Sequence, residues 1–144
     1  MYCHEARQRG AQIVVFPEAL LGGYPKYMTF GATVGCRSTE DREWFRRLVI
    51  VIGVIERAGS TLMCTALTFQ PRCDLPVIHR KLMPTAMERL IWGFGDGSTM
   101  SVVSTIAGKV GCPICWENYM PAYRMHPYNQ QVELWCAPTV DDRE

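Results

Sequence analysis

Val110-Gly-Cys-Pro-Ile-Cys115-Trp-Glu-Asn-Tyr-Met-Pro121 decides how the chain is read. The run ending at Ile114 predicts a short strand, with Cys115 at its end and Trp116-Glu117-Asn118-Tyr119 opening a helix or turn. A thiol at such a junction meets the positive end of a helix and backbone N–H groups without partners, and both favour the thiolate. The same placement also suits a buried structural cysteine, which behaves as a small hydrophobe.

Outward from this stretch, residues 99–105 and 109–114 read as a β-hairpin around Ala107-Gly108. Residues 123–131 suggest a helix broken early by Pro127, followed by a last strand at 132–136 and a polar end. Upstream, 82–98 is a long loop rich in Gly and Pro. Its Leu90, Ile91, Trp92 and Phe94 argue for a functional loop over a disordered one. A strand at 75–79 delivers Arg80 and Lys81, with a turn at 70–74 before it. Residues 61–69 pair with 49–55 across a tight turn at 56–60.

Nearer the start, 2–12 reads as the tail of a helix stopped by Gly10. Ile13-Val-Val-Phe16 is a buried strand ended by Pro17, with Glu18 immediately after it. A loop follows at 21–25, and acids at 38–41 mark a helix start. The helical stretch 42–48 then runs into the strand at Val49 with no Gly, Pro, Asn or Asp between them. Connections normally contain such residues. One of the two assignments therefore fails, or a piece is missing between Arg47 and Val51.

About seven short strands and a few helices predict an α/β layered domain. At 144 residues the chain is long enough for a single domain, 1–144, with its own core. A net charge of +1 without basic or acidic blocks favours neither nucleic acid nor a membrane as partner. No apolar run approaches the roughly 18 to 20 residues that span a bilayer. The first seven residues lack the pattern of a signal peptide. Seven cysteines without a regular framework suit a reducing cytoplasm.

Glu18, Lys81 and Cys115 each fall at the C-terminal end of a predicted strand, the edge where layered α/β folds build their sites. A cysteine nucleophile needs a base or a positive neighbour. His4, His79 and His126 occupy segments that give no support for a Cys–His pair. Glu as base and Lys as electrostatic stabiliser is the better-placed set. It suits attack on an sp or sp² carbon bonded to nitrogen. Cys112-Pro-Ile-Cys115 has the spacing of a redox pair or half a zinc site. Cys64, Cys73 and Cys136 lack the spacing of a second ligand pair, so no metal is expected. Trp116 is the position whose backbone N–H can face charge developing beside the nucleophile.

Three blocks carry a family resemblance. Phe16-Pro-Glu18-Ala19, then His79-Arg-Lys81-Leu-Met-Pro-Thr85 with Glu88-Arg-Leu-Ile-Trp-Gly93, then Cys115-Trp-Glu-Asn-Tyr-Met-Pro121 resemble the signature motifs of the nitrilase branch of the carbon–nitrogen hydrolase superfamily. Cys136-Ala-Pro-Thr139 and Asp141-Asp142-Arg143 resemble the segment after the next strand. The resemblance implies a partial α-β-β-α sandwich and a hydrolase that converts a nitrile and water to a carboxylic acid and ammonia. It implies Glu18 as general base, Lys81 as stabiliser and Cys115 as nucleophile, with Glu88 orienting Lys81 and the substrate. No cofactor is implied; the partners are a small nitrile and further copies of the chain. It also implies a shortened core, since family members begin with a further strand, carry more chain between Glu18 and Lys81, and continue beyond residue 144. Two alternatives accompany this reading: a nitrile or cyanide hydratase that stops at the amide, and an inactive shortened homologue acting as an assembly module.

Overall fold

A computed structural model describes residues 2–20 and 48–140. The loop expected at 21–25, the helix expected from 38 to 47 and the segment 141–144 lie outside the described residues. In chain order the elements are α1 (Tyr2–Gln8), β1 (Ile13–Val15), β2 (Val49–Ala58), β3 (Thr61–Phe69), β4 (Val77–Arg80), β5 (Val102–Thr105), β6 (Gly108–Gly111), α2 (Pro121–Asn129) and β7 (Leu134–Trp135). Short 3₁₀ turns occupy Ala86–Leu90, Gly97–Thr99 and Cys115–Tyr119.

The strands form two sheets, ordered β1-β2-β3-β4 and β5-β6-β7. β1 runs parallel to β2, with Ile13 opposite Val49, and residues 16–48 supply the long connection that a parallel pair needs. β2–β3 and β3–β4 are antiparallel. In the second sheet β5–β6 is antiparallel and β6–β7 parallel.

One apolar cluster takes side chains from both sheets: Val49, Val51, Cys64 and Ala66 from the first, Val110 from the second, with Ala19, Trp92, Ile114 and Cys136 around them. Val49 and Val51 are fully buried in this cluster. Ile50, on the opposite face by the two-residue pleat, is buried outside it. That double burial explains why β2 is apolar from Val49 to Ile55, β-branched at every position but Gly53, before it turns polar at Glu56. Among the described residues no helix is long and apolar enough to cross a membrane.

Three local expectations need correction. The turn expected over 56–60 is shorter, because β2 continues to Ala58 and pairs with Thr61 across Gly59-Ser60. Gly59 supplies the positive φ (+64°) that such a two-residue hairpin requires. α2 passes through Pro127, since the residue forfeits one backbone hydrogen bond while its buried ring packs inward. β6 ends at Gly111, so Cys115 stands a short extended segment beyond the strand. Pro113 lacks the N–H needed to continue a ladder there.

Candidate active site

The path of β1 continues past its last residue. Phe16 donates its N–H to Val51 O at 2.8 Å, and Pro17 O accepts from Gly53 N at 3.2 Å. The chain then turns at Ala19, whose φ is +51°, and carries Glu18 inward to 1 % exposure. Gly53 makes this approach possible. A Cβ there would lie 2.5 Å from Glu18 Cα and 2.5 Å from Pro17 O. Both contacts are backbone, so Gly53→Ala must push β1 away from β2. The expected loss is about 2 kcal/mol in a denaturant titration, within the range for overpacked cores, accompanied by reduced turnover.

Lys81 arrives from the opposite edge of the same sheet. Its N–H extends the β3–β4 ladder to Cys64 O (2.9 Å), and its carbonyl accepts from Gly95 N (2.9 Å). The ammonium is buried and donates to Glu18 Oε1 at 2.6 Å and to Glu88 Oε2 at 2.8 Å. Burial alone would push the ammonium's pKa down. The hydrogen bonds and charges of the two carboxylates outweigh it, so the net shift is upward. Glu88 is itself fixed by the 3₁₀ turn Ala86–Leu90, where Oε2 also accepts the Thr85 N–H at 2.6 Å. That is the reach-back half of a capping box. The long loop expected over 82–98 is therefore ordered where it carries Glu88.

Glu18 divides its two oxygens sharply. Oε1 takes Lys81 and also the thiol of Cys64, whose Sγ lies 3.3 Å away. Oε2 is buried and has no hydrogen-bond partner among the described residues. A buried carboxylate oxygen without a donor is costly, and such an atom is a natural place for a water or a reacting proton.

Cys115 begins the 3₁₀ turn Cys115–Tyr119 with φ +49°, a left-handed conformation unusual for a side chain with a Cβ. It is half-buried, and the charges of Glu18, Lys81 and Glu88 all act on it. Its thiol pKa is pushed up to about 11, first by burial and then by the Glu18 carboxylate; Lys81 and the Trp116 N–H pull the other way. The expectation of a favoured thiolate is thus overturned. A five-residue 3₁₀ turn offers a weaker positive end than a helix, and burial beside a carboxylate wins.

Of the residues singled out from the sequence, Glu18, Lys81 and Glu88 meet in one hydrogen-bonded cluster, and Cys115 lies within its electrostatic reach. The Trp116 N–H pulls the Cys115 thiol pKa down, while its ring is exposed and packs against Tyr119 with centroids 5.2 Å apart. Cys112 is buried, and it, Cys115 and Cys136 are free thiols. Among the described residues no group of three or more His, Cys, Asp or Glu could hold a metal ion. His4 and His126 are exposed and bond to Gln8 and Gln130. His79 is buried and bonds to Glu117. Two participants were not anticipated, Cys64 on Glu18 and Glu117 behind the nucleophile. The alternation of β3 puts Cys64 on the same face as Ala66, but nothing local points it at an acid.

A family model for carbon-nitrogen hydrolases matches residues 1–143. The chain belongs to the carbon–nitrogen hydrolase family. It is 51 % identical to a nitrilase of Bradyrhizobium diazoefficiens, covering 97 % of this chain and 51 % of that protein. It is 46 % identical to a bifunctional nitrilase/nitrile hydratase of Nicotiana tabacum, with 97 % and 47 % covered. The chain spans about half the length of the curated relatives it matches. Among solved structures of the family's fold, an amidase from Nesterenkonia sp. superposes with a TM-score of 0.71 at 16 % identity, covering 99 % of this chain and 57 % of that one. A carbon-nitrogen hydrolase from Helicobacter pylori G27 gives 0.68 at 18 % identity, covering 96 % and 52 %. The expected α/β class of this family is the fold observed.

Proposed function

We propose that the chain forms the reacting core of a nitrilase, turning a small nitrile and two waters into a carboxylic acid and ammonia. The observation that carries this reading is the buried Glu18–Lys81–Glu88 cluster, with Glu18 Oε2 left without a donor among the described residues, acting on a Cys115 thiol whose pKa is pushed up. Such a thiol needs a base at the moment it attacks, and Glu18 is that base.

Glu18 takes the Cys115 proton as sulfur adds to the nitrile carbon, and the proton passes to the nitrile nitrogen to give a thioimidate. Water then adds to the same carbon, with its proton accepted by Glu18. Expulsion of ammonia leaves a thioester, and a second water releases the acid and restores the thiol. Lys81, its charge held by Glu18 and Glu88, stabilises the negative charge that builds in each tetrahedral species. No step calls for a cofactor.

A hydratase reading has its own support, since one of the similar proteins is described as a bifunctional nitrilase/nitrile hydratase. If the tetrahedral species expels the thiolate instead of ammonia, the product is the amide. Self-association is part of the same proposal, supported by the exposed large side chains of Tyr119 on the nucleophile turn and of Met125 and Tyr128 on α2.

The test is ammonia and amide release from aliphatic and aromatic nitriles, with size-exclusion chromatography of the same sample. Glu18→Gln should lower kcat by about 10²- to 10⁴-fold, the usual range for loss of a general base. A chain that releases neither product while remaining folded would instead fit the assembly-module alternative.

A further inference from the structure

Glu117 is fully buried, yet it lies outside the set that meets the nitrile. Its Oε1 accepts the Leu82 N–H at 2.7 Å. Its Oε2 accepts the Ile114 N–H at 2.7 Å and lies 2.8 Å from His79 Nε2. Leu82 directly follows Lys81, and Ile114 directly precedes Cys115. One carboxylate therefore ties together the backbones that carry the stabilising cation and the nucleophile. These come from different sheets, and no strand ladder joins them.

The third contact explains how the carboxylate is held. A carboxylate that already accepts two backbone N–H bonds offers only lone pairs to a further neighbour. His79 Nε2 must then be the donor, with its proton on that atom. Nδ1 of the same ring is buried and has no hydrogen-bond partner. It is better left as an unshared lone pair than as an orphaned N–H. The Tyr123 hydroxyl, 3.3 Å from Nε2, and its ring, 5.6 Å from the imidazole centroid, pack α2 against the same histidine.

We propose that Glu117, held by His79, is a positioning residue that sets the separation of Cys115 from Lys81 and Glu18. The proposal rests on the reading of those three as the reacting set. It differs from a purely structural role in what it requires. Loosening the clamp must change how the reacting groups sense one another, as well as how firmly the protein folds.

Two variants test it in the full chain, each followed by thermal melting, nitrile kinetics and the pH profile of Cys115 alkylation by iodoacetamide. Glu117→Gln keeps the shape but turns an NH₂ toward one of the three donors. His79→Gln leaves both backbone contacts in place, which keeps the test open should the first variant fold poorly. Displacements of about an ångström can cost on the order of a hundredfold in rate. Glu117→Gln should therefore lower kcat roughly tenfold to a hundredfold with KM within about twofold, and His79→Gln should lower it severalfold. The alkylation midpoint should move away from the wild-type value near 11, as Cys115 shifts relative to the Glu18 carboxylate that raises it and the Lys81 ammonium that lowers it. A wild-type alkylation profile together with unchanged kcat per folded molecule, in whichever variants fold, would overturn the proposal even if both melt earlier. Should the wild-type protein not turn over nitriles at all, the functional reading fails separately, and the alkylation midpoints alone decide the positioning role.

Discussion

Cys115→Ala is expected to abolish turnover, by on the order of 10⁴-fold or more, while leaving the melting temperature within a few degrees of the parent. The asymmetry follows from where the residue sits. The sulfur is half-buried at the head of a 3₁₀ turn, so its removal leaves little unfilled core. In the proposed reaction it is also the atom that forms and breaks the bond to carbon. The residual rate would be that of groups which bind and polarise without a nucleophile. Cys112→Ala should behave in the opposite way, with stability reduced and most activity kept, because Cys112 belongs to the buried apolar cluster. Because the Cys115 thiol pKa is pushed up to about 11, its alkylation should be slow at neutral pH and reach half its maximal rate only near pH 11. A thiol at the ordinary value of 9.0 reaches half-maximum about two pH units lower. Equal losses of activity from Cys112→Ala and Cys115→Ala would point to a redox pair instead.

Lys81→Met should cost both stability and activity. Methionine preserves most of the stem's volume, so the variant isolates the charge. Without the ammonium, Glu18 and Glu88 are left buried side by side with no cation between them. Removing one partner from a buried ion pair is worth about 3–5 kcal/mol. Against a total stability of about 5–15 kcal/mol, that is a large share. Lys81 has its pKa raised above the ordinary 10.5, so the stability it contributes is complete below pH 10.5 and is lost as the pH rises beyond that value. Turnover of the folded variant should fall at least about a hundredfold, as for loss of an oxyanion-type donor. Urea titrations at two pH values, beside nitrile kinetics, check both parts.

The two longest strands were legible because their signals are local. β2 opens with a β-branched run, Val49 to Ile55, broken only by Gly53, and the Gly59-Ser60 step after Ala58 announces the hairpin with β3. The persistence of α2 through Pro127 was not legible, since the helix survives on the burial of Tyr123 and Pro127, a tertiary contact. Glu18, Lys81 and Cys115 stood out by position at strand ends, and Glu88 entered only through the family resemblance. Their partnership could not be read from spacing. The hydrogen bond from Cys64 to Glu18 spans 46 positions and that from Lys81 to Glu18 spans 63. Such links depend on the register of paired strands and on how two sheets stack, neither of which a local pattern encodes. Glu117 was hidden for the same reason, with His79 38 positions away and Leu82 35. The raised thiol of Cys115 was misread because sequence gives the turn but not the depth at which it lies.

If the proposed carbon–nitrogen chemistry passes through the sulfur of Cys115, a covalent adduct must form there. The protein can be mixed with a nitrile, quenched in acid during turnover, digested and examined by fragmentation mass spectrometry. The expected result is an acyl or thioimidate mass on Cys115, none on Cys112 or Cys64, and no such adduct in Cys115→Ala. Steady ammonia release from Cys115→Ala, or an adduct confined to Cys112, would contradict it.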